Sequence, residues 1–253
     1  MKRAWVTGAS RGIGFAFAQA LAEKGYALTL LARSQDELEL LATQLPGKGH
    51  RALALDLATD EGRSRACAEL GRERVHLLVN NAGVGAFGDF AALALLKQQR
   101  MMRINCDALV ELSHAFLAQA EEGDALINVA STLGLLAMPK SALYTATKSF
   151  VVSLSECLWY EQKARGVYVM GLCPGMTRTD FFRAAEGEEY AQLPSALSQT
   201  PEEVVAIAMR QLEARRHPIV VCGAKNRLPL FLTRMISRKT MVKMMGRMAA
   251  SRD

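Results

Sequence analysis

The sequence RAWVTGASRGIG, residues 3–14, leads from a short apolar segment into a loop with three glycines. The apolar segment predicts a β-strand, and the amphipathic sequence that follows the loop predicts a helix over residues 13–24. Here Gly8 would allow a sharp turn, Gly12 would let the backbone approach a phosphate, and Gly14 would let the helix pack closely on the sheet. A plain glycine-rich turn is the alternative, but the position between the first strand and a helix favours a dinucleotide-binding loop.

Short apolar segments rich in Val, Ile and Leu alternate with longer amphipathic segments along the rest of the chain. Such alternation predicts an α/β fold, a single doubly wound Rossmann-type domain with a seven-stranded parallel sheet and helices on both faces. The predicted strands cover residues 3–7, 27–32, 51–56, 75–80, 125–130, 167–173 and 218–222. The predicted helices cover residues 13–24, 35–45, 59–73, a long region that ends near 120, 143–165 and 201–214. Because ligands of such folds bind beyond the carboxyl ends of the strands, the loops there are expected to carry the chemistry.

The composition indicates one folded domain without an export or membrane-spanning signal. The chain has 253 residues, of which 50% are hydrophobic, and this suffices for one well-buried domain. The N-terminus has no apolar run typical of a signal peptide, and the longest uncharged stretch, Ala125–Pro139, is shorter than the roughly 18–20 residues that span a bilayer. Five cysteines without a C-x-x-C pair predict free thiols in a reducing compartment, so we expect a soluble, cytoplasmic protein. The histidines are scattered, and no Cys/His cluster indicates a metal site.

Two arginines lie where a dinucleotide ribose is usually recognised. An NAD-specific protein of this fold has an acidic residue at the end of its second strand, whereas this chain has Arg33 there. A guanidinium suits a 2′-phosphate, and Arg11 in the glycine loop is placed to reach the same group. The pair favours NADPH over NADH, with two solvated surface arginines as the alternative. Asp56, at the end of the third strand, is expected to accept a hydrogen bond from the adenine amino group or to cap a helix.

The loops after the fourth and fifth strands carry polar residues at the same predicted edge of the sheet. The fourth strand ends in NNAG, residues 80–83, and Ser131 follows the fifth. Tyr144 and Lys148 are four residues apart, so they share one face of the next helix. Asn105 lies in the long helical region that precedes them.

These features together resemble the motif series of the classical short-chain dehydrogenase/reductase family. The matching motifs are TGASRGIG, NNAG, Asn105, Ser131, YTATK and PGMTRT (174–179), in order and at the family's spacing, and the resemblance extends from about residue 3 to about residue 222. It implies a catalytic set of Asn105, Ser131, Tyr144 and Lys148. With the residue arguments above, it implies a cofactor-binding set of Gly8, Ser10, Arg11, Gly12, Ile13, Gly14, Arg33, Asp56, Leu57, Asn81, Ala82, Gly83, Tyr144, Lys148, Pro174, Gly175, Thr177 and Thr179.

The implied roles agree with the chemistry of carbonyl reduction. A carbonyl oxygen that gains a hydride at its carbon needs a proton donor, and tyrosine has an ordinary pKa of about 10. A lysine ammonium one turn away would lower that pKa toward neutrality, so Tyr144 is expected to act as general acid in reduction and as base in oxidation. Lys148 would also hold the nicotinamide ribose. Ser131 would polarise the carbonyl, and Asn105 would hold a water that relays protons to Lys148.

The substrate is expected to contact an apolar pocket. Phe181, Phe182, Tyr190 and Leu193 are candidates on one side, with Leu133, Leu135 and Met138 opposite. A lid that packs on itself is the alternative. An apolar pocket favours a greasy ketone, acyl-, alicyclic or steroid-like.

The C-terminal segment departs from the family pattern. We expect residues 1–224 to form the NADP-binding catalytic domain and residues 225–253 to form a basic amphipathic extension that is not an independent domain. Its apolar candidates are Leu228, Phe231, Met235, Val242, Met245 and Met248, with Arg234, Arg238, Lys239, Lys243 and Arg247 between them. A helix of this kind packs on the body, covers the cleft, joins a subunit interface or lies on an anionic membrane. Packing within the protein is the favoured alternative. No nucleic-acid role is expected, because interleaved aromatic residues are lacking.

The sequence thus predicts an NADPH-dependent reductase that converts an apolar ketone to a secondary alcohol. Its alternatives are an alcohol dehydrogenase that works oxidatively and a non-catalytic NADP(H)-binding regulatory protein. The intact Ser131, Tyr144 and Lys148 set argues against the regulatory protein. The resemblance implies a homodimer or homotetramer built through the helices around residues 92–118 and 143–165.

Overall fold

Seven parallel strands form the central sheet in a computed structural model, which describes residues 1–185, 198–233 and 235–250. The strands are β1 (Arg3–Thr7), β2 (Ala27–Ala32), β3 (Arg51–Ala54), β4 (Leu77–Asn80), β5 (Ala125–Val129), β6 (Tyr168–Cys173) and β7 (Ile219–Val221). Their order across the sheet is β3-β2-β1-β4-β5-β6-β7. The order reverses between β1 and β4, which is where doubly wound sheets bind ligands.

Helices follow most of the strands in the described ranges. They are α1 (Gly12–Glu23), α2 (Gln35–Gln44), α3 (Asp60–Leu70), α4 (Leu95–Met102), α5 (Ala108–Gln119), α6 (Ala142–Gln162), α7 (Phe181–Ala184), α8 (Pro201–Ala214), α9 (Ala224–Thr233) and α10 (Arg238–Ala250). A π-helical turn, Arg103–Asp107, joins α4 to α5, and 3₁₀ turns at Thr132–Leu135 and Lys163–Arg165 flank α6.

Alternate residues of each strand point to opposite faces of the sheet, and helices cover both faces. In β1, Val6 packs on one face and Trp5 on the other. Helices α1, α2 and α8 cover the Val6 face, whereas α3, α5 and part of α6 cover the Trp5 face. The prediction of a doubly wound α/β fold with a seven-stranded parallel sheet is therefore confirmed.

A buried chain of hydrogen bonds positions α6 against the sheet. The Asn80 amide nitrogen donates to Ser113 Oγ of α5 and to Asn128 Oδ1 of β5, both at 3.0 Å. The Asn128 amide nitrogen donates in turn to Ser155 Oγ of α6, at 3.1 Å. Breaking any of these bonds would leave a buried donor without a partner, so the chain favours one placement of the two helices.

Several predicted elements differ from those observed, and three of the differences have an identifiable cause or bear on the site. The strand predicted over residues 51–56 ends at Ala54, because the Asp56 carboxylate accepts a hydrogen bond from the Ala58 N–H at 2.9 Å and turns the chain toward α3. The long helical region predicted after β4 begins only at Leu95 and is interrupted by the π-helical turn.

The C-terminal segment, predicted as one amphipathic helix, forms two. The side chain of Ser237 accepts a hydrogen bond from the Thr240 N–H at 3.2 Å, a capping contact that starts α10 after a break. Among the described residues, no helix is both long enough and apolar enough to cross a bilayer.

Candidate functional site

The glycine loop has a backbone path that other residues would not follow. Gly8 and Gly12 have positive φ angles of 65° and 57°, in the left-handed region that favours glycine. A Cβ atom at Gly14 would lie 2.1 Å from the Gly8 carbonyl oxygen, so only glycine permits this close crossing. The first N–H groups of α1 lack partners within the helix and are suited to bind a phosphate.

The NNAG segment is fastened to this loop by reciprocal hydrogen bonds. The Asn81 amide nitrogen donates to the carbonyl oxygens of Thr7, at 2.9 Å, and Gly8, at 3.2 Å. The Thr7 hydroxyl oxygen accepts from the backbone N–H groups of Asn81 and Ala82, both at 2.9 Å. The ends of β1 and β4 are thereby held together at the point where the strand order reverses.

One cavity of about 720 Å³ collects nearly all of the residues that the sequence assigned to a site. Those that line it are Gly8, Ser10, Arg11, Gly12, Ile13, Arg33, Asp56, Leu57, Asn81, Ala82, Gly83, Ser131, Tyr144, Lys148, Pro174, Gly175, Thr177 and Thr179. Gly14 packs beneath the loop and Asn105 lies behind Gly83. The cavity extends from the end of β2 to the start of α6.

At the β2 end, the cavity wall carries charged side chains. Arg33 and Arg11 are both exposed there. Asp56 forms an ion pair with Arg100, at 2.9 Å. Burial raises the pKa of Asp56, but the hydrogen bond from Ala58 and the pairing with Arg100 outweigh it and hold that pKa below its ordinary value. Sequence reasoning missed Arg100, because no local pattern connects α4 with the end of β3.

The segment PGMTRT closes one side of the cavity. The Thr177 side chain is buried, and its hydroxyl donates to the Gly175 carbonyl oxygen at 3.1 Å. Thr179 Oγ1 accepts a hydrogen bond from the Phe181 N–H at 3.3 Å and caps α7. Backbone hydrogen bonds from Arg178 and to Met176 pair this segment with Gln199.

Tyr144 and Lys148 are both buried, at 6% and 5% exposure, in the middle of the cavity. Lys148 Nζ donates to the Val129 carbonyl oxygen at 2.8 Å and lies 5.9 Å from the centre of the Tyr144 ring. The Ser131 side chain forms a hydrogen bond with the Tyr144 hydroxyl. Three elements, the end of β5, the turn after it and α6, therefore bring these polar groups together.

Burial dominates the protonation of this pair. It raises the pKa of Tyr144 to about 12, although the hydrogen bond with Ser131 opposes the rise. It lowers the pKa of Lys148 to about 8. The expectation that Lys148 brings the pKa of Tyr144 toward neutrality is therefore wrong for this structure. The reason is that loss of hydration penalises tyrosinate, and the lowering effect of the Ser131 hydrogen bond does not offset this penalty.

Asn105 occupies the π-helical turn and is almost fully buried. Its Oδ1 accepts from the Val84 N–H at 2.9 Å, and its Nδ2 donates to the Val84 carbonyl at 3.0 Å and to Thr147 Oγ1 at 3.1 Å. A Cβ atom at Gly83 would lie 3.4 Å from both Asn105 Oδ1 and Lys148 Nζ. Asn105 thus fixes the loop beside Lys148, and its role in holding a water stays a prediction.

The other end of the cavity is apolar, and methionines contribute much of its wall. Leu133, Met138 and Phe181 line it as predicted, whereas Leu135 does not. Tyr190 and Leu193 lie outside the described residues, as does the side chain of Phe182. Lining residues that the sequence did not indicate include Val84, Phe87, Ile104 and Met176. The Tyr144 ring lies between Phe87 and Phe181, with ring centres 6.0 Å and 5.5 Å away.

Helix α10 covers this apolar end. Its Met241, Met245 and Ala249 are buried against Met138, and both Met245 and Met248 line the cavity. The sequence indicated an apolar stripe here but not its position. Two of the alternatives for the C-terminal segment are therefore observed: the described part of α10 packs on the body and covers the cleft.

Comparison with known proteins agrees with the motif series. A family model described as short chain dehydrogenase matches residues 2–189. Oxidoreductase UcpA of Escherichia coli (strain K12) is 32% identical over 218 residues, which cover 83% of this chain and 82% of that protein. The very-long-chain 3-oxoacyl-CoA reductase of Homo sapiens is 28% identical over 215 residues, which cover 81% of this chain and 66% of that protein.

A solved structure of a short-chain dehydrogenase is also similar to this chain. The short-chain dehydrogenase from Sphingobium yanoikuyae in complex with NADPH has a TM-score of 0.80 and 27% identity, covering 93% of this chain and 94% of that chain. The chain belongs to the short-chain dehydrogenase family. As a member it is an oxidoreductase with a nicotinamide dinucleotide cofactor, and the glycine loop and cavity described above fit such a ligand. In residues 1–185, 198–233 and 235–250, no group of three or more His, Cys, Asp and Glu side chains is placed to hold a metal ion.

In this short-chain dehydrogenase, the contacts of Asn105 predict a structural contribution that can be measured without substrate. Asn105→Ala would leave the N–H and C=O groups of Val84 without their side-chain partners. We expect the free energy of unfolding in urea to fall by about 3 kcal/mol. Thr147→Val, which removes one of the partners of Asn105, should lower it by only about 1 kcal/mol. Equal losses of unfolding free energy in the two variants would contradict the role of Asn105 in holding the loop at Val84.

Proposed function

We propose that this short-chain dehydrogenase reduces an apolar ketone to a secondary alcohol with NADPH, and that Tyr144 is the general acid. The observation that carries the proposal is the position of Ser131 and of the buried Tyr144 and Lys148 side chains. They lie between the glycine-loop end of the cavity and its methionine-rich apolar end. A carbonyl that enters from the apolar end would meet the Tyr144 hydroxyl beside the dinucleotide site.

The β2 end of the cavity supports NADPH as the cofactor. The glycine loop offers backbone N–H groups to the pyrophosphate, and the exposed Arg33 and Arg11 guanidinium groups suit a 2′-phosphate. Asp56 and Leu57 would contact the adenine, and Thr177 and Thr179 the carboxamide. When bound, NADPH supplies the hydride.

The chain's own residues would supply the proton and the electrostatic stabilisation. Ser131 would orient the carbonyl oxygen, and the Tyr144 hydroxyl would donate its proton to that oxygen. The Lys148 ammonium would stabilise the negative charge that develops there and hold the ribose hydroxyls. Asn105 Oδ1 and Lys148 Nζ both border Gly83, which supports a water between them that returns a proton to the site.

Burial leaves Tyr144 in the form from which reduction starts. With its pKa raised to about 12, Tyr144 holds its proton at neutral pH, as a general acid must before it donates. An alcohol dehydrogenase that works oxidatively would use the same hydroxyl as a base and stays the alternative.

The apolar end of the cavity supports a bulky, flexible or steroid-like ketone as the substrate. Methionine side chains are unbranched and adapt to ligands of different shape, and Met138, Met176, Met245 and Met248 all line the cavity. The human relative's name describes a very long 3-oxoacyl chain, which belongs to the same class of ketone. This comparison supports an acyl substrate as one member of the class.

An exposed apolar face supports a homodimer or homotetramer. Met102, Val110 and Phe150 border a depression between α5 and α6 and are each partly exposed, as subunit interfaces of this family would require. Light scattering at several concentrations tests this assembly. The five free cysteines support a reducing compartment such as the cytoplasm.

The catalytic role of Tyr144 is tested by Tyr144→Phe. With apolar ketones of increasing size, we expect the rate of NADPH oxidation to fall by about 10²–10⁴-fold, because the proton donor is removed. The affinity for NADPH, measured by fluorescence, should change little. A non-catalytic regulatory protein would show no ketone-dependent oxidation in either form, and a variant that keeps wild-type turnover would remove Tyr144 from the mechanism.

The dependence of activity on pH is a second test of the site formed by Tyr144 and Lys148. The Lys148 ammonium is lost as the pH rises through about 8, whereas Tyr144 stays protonated to about 12. We therefore expect kcat/KM for NADPH, which reports the free enzyme, to fall above about pH 8. A profile that stays level to pH 10 would contradict the role of the Lys148 charge.

Cofactor choice is tested by Arg33→Ala. Loss of the guanidinium should weaken NADPH binding by about 10–100-fold and leave NADH binding nearly unchanged, because only NADPH carries the 2′-phosphate. Arg65→Ala serves as the control, since Arg65 is an exposed arginine that does not line the cavity. Equal affinity of the wild-type protein for both cofactors would refute the assignment.

The apolar end is tested by a matched pair on α10. Met245→Ser places a polar group in the cavity wall, so KM for bulky apolar ketones should rise by about 10-fold, with NADPH affinity unchanged. Met244→Ser alters the neighbouring exposed side chain and should leave KM as it is. Equal KM values in both variants would contradict a role of α10 in substrate binding.

A further inference from the structure

The positive charge of the protein is concentrated at its C-terminus. Residues 225–253 hold eight Lys and Arg residues and one Asp, whereas the remainder of the chain holds 23 basic and 24 acidic residues. Between residues 225 and 250 there is no acidic residue. Arg238, Lys239 and Lys243, at the start of α10, are all exposed. The described part of this segment therefore presents basic side chains on a chain whose remainder is nearly neutral in charge.

Large apolar side chains are exposed on the same segment. In α9 and the break after it, Leu228, Phe231, Leu232 and Met235 are each more than half exposed. On α10, Val242 and Met244 are also exposed, at 42% and 44%. A cluster of exposed side chains of this size marks an interaction surface. A partner of this surface must bind apolar side chains and positive charges at the same time.

The inner face of α10 holds the segment on the body. Met241, Met245 and Ala249 are buried against Met138, so the basic and apolar outer residues are presented on an anchored helix. The outer face thus remains available while the inner face covers the cavity.

We propose that residues 225–250 bind the surface of an anionic lipid bilayer. Leu228, Phe231, Leu232 and Met235 would enter the boundary between headgroups and acyl chains, where their apolar surface leaves water. The basic residues of α10 would be attracted by the negative headgroups. The segment combines exposed apolar side chains with basic ones and has no acidic residue between 225 and 250, and such a surface requires this combination.

Two other partners fit the segment less well. A second copy of the chain would bring two strongly basic surfaces together, and like charges at such an interface oppose association. A nucleic acid would be bound by aromatic stacking and by polar contacts, whereas Phe231 is the single aromatic residue of the segment.

The test is co-sedimentation of the full chain with large vesicles, without cofactor or substrate. One set of vesicles is phosphatidylcholine alone, and the other contains about 30% phosphatidylserine. We compare wild type with the charge variant Arg238→Gln/Lys239→Gln/Lys243→Gln and with the apolar variant Leu228→Ser/Phe231→Ser. Leu95→Ser/Leu96→Ser is the matched control, because these two leucines of α4 are at least as exposed as Leu228 and Phe231. NADPH fluorescence checks that every variant is folded.

We expect about ten-fold more wild-type protein to sediment with the anionic vesicles than with the neutral ones, and binding to weaken in about 0.5 M salt. Both C-terminal variants should lose most of this binding, and the α4 control should keep it. Equal sedimentation with both kinds of vesicle, or unchanged binding in the C-terminal variants, would overturn the proposal. Sedimentation without vesicles would favour self-association instead, and tighter binding to a DNA duplex than to vesicles would favour nucleic acid. None of these outcomes tests the proposed ketone reduction, which is measured separately.

Discussion

The hydrogen bond from the Lys148 ammonium to the Val129 carbonyl oxygen, 2.8 Å long, fixes the centre of the site. It joins α6 to the end of β5, where the turn that carries Ser131 begins. A Cβ atom at Gly134 would lie 2.6 Å from the Lys148 carbonyl oxygen, so α6 packs on this turn at backbone distance. Ser149 Oγ donates to the Gly134 carbonyl at 2.9 Å and secures the same contact. A slide of α6 along the turn would break all of these contacts, so the separation of Ser131 from the helix is set by backbone packing.

This packing puts ionisable groups where water is scarce. Burial raises the pKa of Tyr144 and lowers that of Lys148, so both groups are shifted toward their neutral forms. A protein that holds a lysine in this way must offset the lost hydration with other interactions. The Val129 carbonyl does so for Lys148 directly, and the bonds of Asn128 with Asn80 and Ser155 stabilise the strand and helix around it. The residues proposed to act in catalysis therefore depend on a polar framework beneath them.

The parts of the fold and site that the sequence predicted are those that depend on local pattern. Strand and helix order follows from alternating apolar segments, and the position of Gly8, Gly12 and Gly14 follows from backbone angles and close packing that only glycine allows. The cavity then follows from topology, because parallel strands end at one edge of the sheet. The individual catalytic and cofactor contacts, and the division of the chain after residue 224, stay predictions.

What the sequence did not predict depends on contacts between distant segments. The pairing of Arg100 with Asp56 joins α4 to β3, and no spacing rule connects them. The π-helical turn at Asn105 depends on the loop at Val84, 21 residues earlier. The pKa of Tyr144 depends on how completely Phe87 and Phe181 enclose it, and neither residue is its neighbour in sequence. The charge of Lys148 alone therefore predicted the wrong direction for the shift of the Tyr144 pKa.

Helix α10 is both part of the cavity wall and an element that few buried side chains hold on the body. Three side chains, Met241, Met245 and Ala249, are buried on its inner face, whereas each strand of the sheet packs on both faces. Local opening costs less free energy where fewer apolar contacts are broken. Displacement of α10 would therefore break few apolar contacts and would leave the sheet, the glycine loop and the Lys148–Val129 contact in place.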